Sequence, residues 1–232
     1  SKLEKTENTP VTINKLYRAD ILDINGNYLA KTVRSIDIGI KTSDVIDKKK
    51  LLLSLKIIFP DKDFSKIEKK LNNKKYFYLE KKISEENYEK IMKLGDKSIK
   101  PEEKVLRIYP QKNLFSHIIG QIDDDNNGIS GLEKSFNEIL RKSKKDIKLT
   151  VDKDVQFLIR KELIKYQEIF KSKGSAAILM NINNGHILSL ISLPDFNPNE
   201  RQNLTDVNFI NRVTKGTYEL GSVFKPFTFA SA

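Results

Sequence analysis

Residues Ile147 to Leu193 carry the pattern that most restricts the fold. Ile147–Val151 is strand-like, and Asp152 is a helix-capping residue type. Apolar positions then follow at Val155, Leu158, Ile159, Leu163, Tyr166, Ile169 and Phe170. Spacings of three and four place them on one face of a long helix, which Gly174 is expected to end. Ser175–Ile182 and His186–Leu193 read as two strands joined by the turn Asn183-Asn184-Gly185. Strand, long helix and hairpin in succession predict a domain that mixes α and β structure.

The N-terminal half mixes both element types as well. Asn25-Gly26 separates two strand-like runs, Ala19–Ile24 and Tyr28–Ile40, and both turn residues tolerate positive φ. Thr42-Ser43-Asp44 offers a cap for a helix with Val45, Ile46, Leu52, Leu53, Leu55, Ile57 and Ile58 on its apolar face, stopped at Pro60. Asp63–Leu71 and the segment opened by Ser84 read as further short helices, with Gly95 ending the second. Tyr76-Phe77-Tyr78-Leu79 reads as an aromatic strand of a core, and Val105–Tyr109 as another strand. Leu114–Ile119 is a helical turn, and Gly131–Leu140 is helical with Leu132, Phe136, Ile139 and Leu140 on one side. The short charged stretch Arg141–Asp146 marks a domain boundary. This gives a loose segment 1–13, a first domain over 14–143 and a second over 144–232.

Composition removes several function classes. The chain has 232 residues, no cysteine and only two histidines, His117 and His186. Disulfides and cysteine-based zinc sites are excluded, a histidine-built metal site is disfavoured, and no cofactor is expected. Asp123-Asp124-Asp125-Asn126-Asn127-Gly128 lacks the closing glutamate of a calcium loop and reads as an acidic turn. The net charge of +11 comes from lysines interleaved with acids. That describes a solvated lysine-rich surface, compatible with an anionic membrane or wall polymer, rather than a nucleic-acid site. No apolar run reaches the roughly 20 residues of a membrane-spanning helix. The chain opens at Ser1 without a Met, which leaves room for an N-terminal anchor upstream.

The chemistry is concentrated in Tyr218-Glu219-Leu220-Gly221-Ser222-Val223-Phe224-Lys225-Pro226-Phe227-Thr228. Ser222 and Lys225 stand one helical turn apart at the expected start of a helix, with Pro226 in its first turn. A lysine amine kept neutral by burial can take the serine proton, and the helix N-terminus favours the resulting oxyanion. Phe224 and Phe227 are expected to help dry the site. Asp195 and Glu219 lie nearby in sequence without an assigned role.

Tyr218–Thr228 resembles the nucleophile segment of class B penicillin-binding proteins, with Leu220 where the family has proline. Leu149–Gln156, Ala176–Leu188 and Pro194–Asn199 are similar to the opening of that family's transpeptidase domain. Arg18–Asp23 with Asn25-Gly26, Arg107–Pro110, His117–Gly120 and Gly128–Glu133 resemble its non-catalytic pedestal, or dimerisation, domain. Asn211-Arg212-Val213 leading into the motif looks most like the cell-division member. The resemblance implies an α+β fold: an elongated pedestal followed by the N-terminal part of an α/β, β-lactamase-like serine transpeptidase domain. It implies Ser222 as the acylated nucleophile, Lys225 as its proton acceptor, and no metal. It implies D-Ala-D-Ala stem peptides as substrate, β-lactams as trapping ligands, and division-complex membrane proteins as partners at the periplasmic face of the inner membrane.

The family's Ser-x-Asn and Lys-Thr-Gly motifs do not follow Lys225 in this chain, so the chain by itself is expected to be inactive. A non-catalytic scaffold and a β-lactam-hydrolysing or -sensing relative are the competing readings. Arg18, Asp23, Arg107 and Glu133 look superficially like an acid–base set, but buried ion pairs of the pedestal account for them better.

Overall fold

The computed structural model describes residues 17–73, 75–143, 145–200 and 207–232, so the segment expected to be loose lies outside the described residues. The chain forms two compact units, one built mainly on Thr32–Leu106 and the other on Arg18–Lys31 with Arg107–Ala232. Each mixes helix and strand, as the sequence predicts.

The first unit takes the later part of strand β2 (Tyr28–Ile40) and pairs it antiparallel with β3 (Phe77–Glu80), Ile38 facing Glu80 and Ile40 facing Phe77. Strand β4 (Ile99–Ile108) also pairs with β2. Helices α1 (Lys48–Ile58), α2 (Phe64–Asn72) and α3 (Glu85–Met92) lie against these strands. Ile38, Ile40, Leu51, Leu55, Leu71 and Ile91 form the centre of the core.

Two expectations fail here for local reasons. Thr42–Asp44 is a separate 3-10 turn, and α1 is capped by Asp47, whose carboxylate accepts the Lys50 N–H. With that start, Leu51 and Leu55 face inward while Ile46, Leu53 and Ile57 are exposed. The second correction concerns the aromatic strand. Alternation buries Leu79 but turns Tyr76 and Tyr78 outward, and both hydroxyls donate to the half-buried Glu102.

The second unit starts with the hairpin of β1 (Ile21–Leu22) and the beginning of β2, Ile21 facing Ala30. Only Gly26 of the turn takes positive φ, at +86°. The turn is organised by Asp23, which accepts N–H bonds from Asn25 and Asn27 and the Asn27 side-chain amide. Strand β5 (Ile147–Lys148) joins β1 in parallel. Short helices α4 (Ser116–Ile119), α5 (Gly131–Ser135) and α6 (Asn137–Lys142) follow β4, where a single helix over 131–140 was expected. The break at Phe136 leaves Phe136 and Ile139 exposed and buries Leu140 completely. Gly120 and Gly131 make the α4–α5 approach possible. Both have positive φ, and a Cβ on Gly120 would lie 2.1 Å from the Ser130 carbonyl oxygen.

The long helix α7 (Lys153–Ile169) is capped by Asp152, which accepts the N–H groups of Asp154 and Val155. Asp23 also receives the Lys153 N–H (3.1 Å), so one carboxylate ties the hairpin turn to the first turn of α7. Burial pushes the Asp23 carboxyl up, but these hydrogen bonds outweigh it and hold the group below its ordinary value. The helix closes at Lys171, φ +50°, and not through Gly174. Leu158, Tyr166, Ile169 and Phe170 are exposed among the described residues, while Gln156 is the buried position. Strands β6 (Ser175–Met180) and β7 (Ile187–Leu193) form the expected antiparallel hairpin, turning through Gly185.

Candidate active site

Ser222 lies in a 3-10 turn, Gly221–Phe224, that runs directly into helix α9 (Lys225–Ser231). The Lys225 N–H donates to the Ser222 carbonyl oxygen. In such a turn side chains three apart eclipse one another, so the hydroxyl and the amine project from the same side. Gly221 has φ +53° with open space around it, so glycine serves the backbone conformation there and not a close approach. Pro226 falls in the first turn of α9, where its missing N–H costs little. The α-helix itself starts three residues later than Ser222, because the 3-10 turn takes the preceding register. Phe224 and Phe227 pair at 5.3 Å between ring centroids, but both are more than half exposed, as are Val223 and Tyr218. Ser222 and Lys225 are exposed too. The aromatic pair therefore does not supply the dry setting expected from sequence.

The approach to this turn is fixed by the β6–β7 hairpin. The Ser192 hydroxyl donates to the Ile210 carbonyl (3.1 Å) and accepts the Arg212 N–H (2.9 Å). Asn211 caps helix α8 (Arg212–Lys215) through the Val213 N–H. Gly174 has its purpose here: a Cβ would lie 2.4 Å from the Arg212 Nε and 2.9 Å from the Leu193 carbonyl oxygen.

Gln156, which periodicity did not single out, locks α7 onto the same hairpin. Its amide donates to the Leu114 and Leu190 carbonyls (2.9 and 2.8 Å), and its oxygen accepts from the Ser189 hydroxyl and the Leu190 N–H (2.7 and 3.0 Å). Its position four residues after the cap Asp152 was the available signal. Gln156→Leu leaves four groups, the Ser189 hydroxyl fully buried and the others partly so, without this partner and is expected to cost about 2–4 kcal/mol of unfolding free energy, measured by urea denaturation.

His117 is structural. Its Nε2 is 2.8 Å from the Asn208 carbonyl oxygen and its ring meets Phe196 edge-on at 5.4 Å. Burial pushes its pKa below the ordinary 6.5. A folded value below the unfolded one means that the unfolded chain binds the proton first. Stability contributed by neutral His117 is therefore present above pH 6.5 and lost as pH falls through the folded value. We expect the stability decline on acidification from pH 7 to 5 to flatten in His117→Asn.

The remaining candidates have other work. His186 is exposed, its backbone N–H held by Asn184. Asp195 pairs with Arg160 (2.7 Å) and accepts from Asn113. Glu219 is exposed. Arg18, Arg107 and Glu133 form a buried network. Arg18 Nη2 reaches Glu133 Oε2 at 2.7 Å and Arg107 Nε reaches Oε1 at 2.7 Å, all three side chains being at most 1% exposed. Asp123 accepts the N–H groups of Asp125 and Asn127, an ordinary turn. No group of three potential metal ligands occurs among the described residues.

Residues 14–169 match the penicillin-binding protein dimerisation domain, and residues 175–232 match the penicillin-binding protein transpeptidase domain. The chain is 29% identical over 217 residues to the probable peptidoglycan D,D-transpeptidase FtsI of Caulobacter vibrioides, covering 92% of this chain and 37% of that protein. It is 32% identical over 253 residues to the stage V sporulation protein D of Bacillus subtilis, covering 93% and 38%. It thus spans somewhat more than a third of the length of these relatives. A crystal structure of a peptidoglycan synthetase from Bifidobacterium adolescentis shares the fold at a TM-score of 0.63 and 21% identity, over 93% of this chain and 50% of that one. The order of the two matched domains is the order the sequence motifs imply, and the chain belongs to the class B penicillin-binding proteins.

Proposed function

We propose that this chain is part of a peptidoglycan D,D-transpeptidase in which Ser222 is the nucleophile and Lys225 its proton acceptor. One observation carries the assignment: the two residues sit three apart in a 3-10 turn, joined by the Lys225 N–H to Ser222 carbonyl bond, inside the span that matches the transpeptidase domain. The Lys225 amine takes the proton from the Ser222 hydroxyl as its oxygen attacks the carbonyl between the two D-alanines of a stem peptide. The terminal D-alanine leaves with a proton. The amine of a neighbouring stem peptide then attacks the acyl-serine, forms the cross-link and frees the hydroxyl. A β-lactam is opened by the same attack and keeps its acyl group on the serine.

A neutral lysine needs a dry surrounding, and the described residues leave Lys225 exposed. The relatives are longer, this chain spanning 37% and 38% of them, and the reading requires that in a protein of that length other residues cover the turn. We therefore assign activity to the longer protein and not to the 232-residue chain alone. The domain division proposed is a pedestal over 14–143 and a transpeptidase part from 144. It is supported by the charged connector Arg141–Asp146, after which α7, β6 and β7 are consecutive and pack on one another. The setting proposed is septal wall synthesis at the periplasmic face of the inner membrane beside division proteins, from the resemblance of Asn211-Arg212-Val213 and the motif after it to the cell-division member. A fluorescent penicillin should label the longer protein at one per molecule and leave the 232-residue chain unlabelled. Failure to label the longer protein would favour a scaffold.

A further inference from the structure

The geometry points to a second contact of this protein: the outer face of α1 rests on an anionic lipid bilayer. The helix reads Lys48-Lys49-Lys50-Leu51-Leu52-Leu53-Ser54-Leu55-Lys56-Ile57-Ile58, with four lysines and no acid. Its inner face is spent on the core, through the buried Leu51 and Leu55. Its outer face is not polar. Leu53 is 66% exposed and Ile57 84%, and Ile46 just before the helix is 93% exposed.

At 3.6 residues per turn, Leu53 and Ile57 stand one above the other. Lys50 then falls on one side of them and Lys49 and Lys56 on the other, all three exposed. Asp47, the carboxylate nearest in sequence, is occupied in capping the helix. An apolar ridge bordered on both sides by ammonium groups is the arrangement of helices that lie in a membrane interface: the ridge enters the acyl boundary and the lysines meet lipid phosphates.

The two features select the occupant together. A soluble polyanion would use the lysines and leave Leu53, Ile57 and Ile46 in water. A protein groove would take the apolar residues but must present acids on both flanks. An anionic bilayer satisfies both demands over one continuous surface, and the net charge of +11 adds long-range attraction. The inference does not rest on the chemistry at Ser222, since the contact lies wholly within the first unit.

The test is sedimentation of the 232-residue chain with vesicles of phosphatidylcholine containing phosphatidylglycerol, against pure phosphatidylcholine. Binding should be confined to the anionic vesicles and weaken with salt. Lys49→Gln/Lys50→Gln/Lys56→Gln should lower the partition about 100-fold, at about fivefold per lysine. Leu53→Ser/Ile57→Ser should lower it at least about tenfold. All five side chains are exposed, so the melting temperature of each variant should match the parent, which separates lost binding from lost folding. Equal binding to both vesicle types overturns the proposal. So does full binding by the serine pair, which would reduce the contact to simple polyanion attraction. Absence of vesicle binding, with the same variants losing a protein partner instead, overturns it too.

Discussion

Replacing Glu133 with alanine is expected to lower the unfolding free energy by about 3–5 kcal/mol, the largest stability loss of any single substitution considered. Glu133 is the negative centre of the buried network. One carboxylate oxygen accepts from Arg18 Nε at 2.9 Å and Nη2 at 2.7 Å, and the other accepts from Arg107 Nε at 2.7 Å. The Glu133 backbone carbonyl also accepts from Arg18 Nη2 (2.9 Å), and the Tyr109 hydroxyl stands 3.5 Å from the carboxylate. Burial, with the Glu133 charge adding to it, pushes the Tyr109 phenol well above its ordinary value. Without the carboxylate, the two buried guanidinium groups lose the negative charge they share, and Asp20 stands 3.7 Å from Arg107. The cost is that of uncompensated charge, so it should shrink when a charge of the other sign is removed as well. Arg18→Met/Glu133→Leu should therefore destabilise by less than the sum of its single changes. Denaturant unfolding followed by circular dichroism reads both. A loss below about 1 kcal/mol for Glu133→Ala would mean that the network contributes little.

In the longer protein, Ser222→Ala should abolish covalent labelling by a β-lactam, and Lys225→Arg should slow acylation by about a thousandfold or more. The two changes act differently. The first removes the atom that forms the bond. The second keeps the charge and most of the length but replaces a base with a group that does not deprotonate in a protein. Stopped-flow acylation rates check this, and melting temperatures equal to the parent's would show that each loss is one of chemistry and not of folding. Parent-like acylation by Lys225→Arg would remove lysine from the role of base.

Much of this was legible from local signals. Asp152 caps its helix as expected, the helices read from Asp63 and Ser84 form, and the Asn25-Gly26 and Asn183-Asn184-Gly185 hairpins form where the turn residues stand. The Ser222–Lys225 spacing and the placement of Pro226 were visible because both are properties of a single helical turn. What escaped depended on contacts distant in sequence. Gln156 is buried because four groups from Leu114, Ser189 and Leu190 converge on it, and no periodicity announces that. Gly174 looked like a helix terminator, but its neighbour in space is Arg212, 38 positions later by difference of residue numbers. The α1 face was misread because Asp47, and not the Thr42–Asp44 stretch, fixes where the helix begins. Exposure of Phe224 and Phe227 was also illegible, since composition tells what a side chain prefers and not whether anything covers it.

The most direct measurement is the site of the covalent adduct. The longer protein is reacted with benzylpenicillin, digested and analysed by mass spectrometry. The account predicts one penicilloyl group on the peptide that holds Ser222, lost in Ser222→Ala. An adduct on any other residue, or a folded protein that forms none, would contradict it.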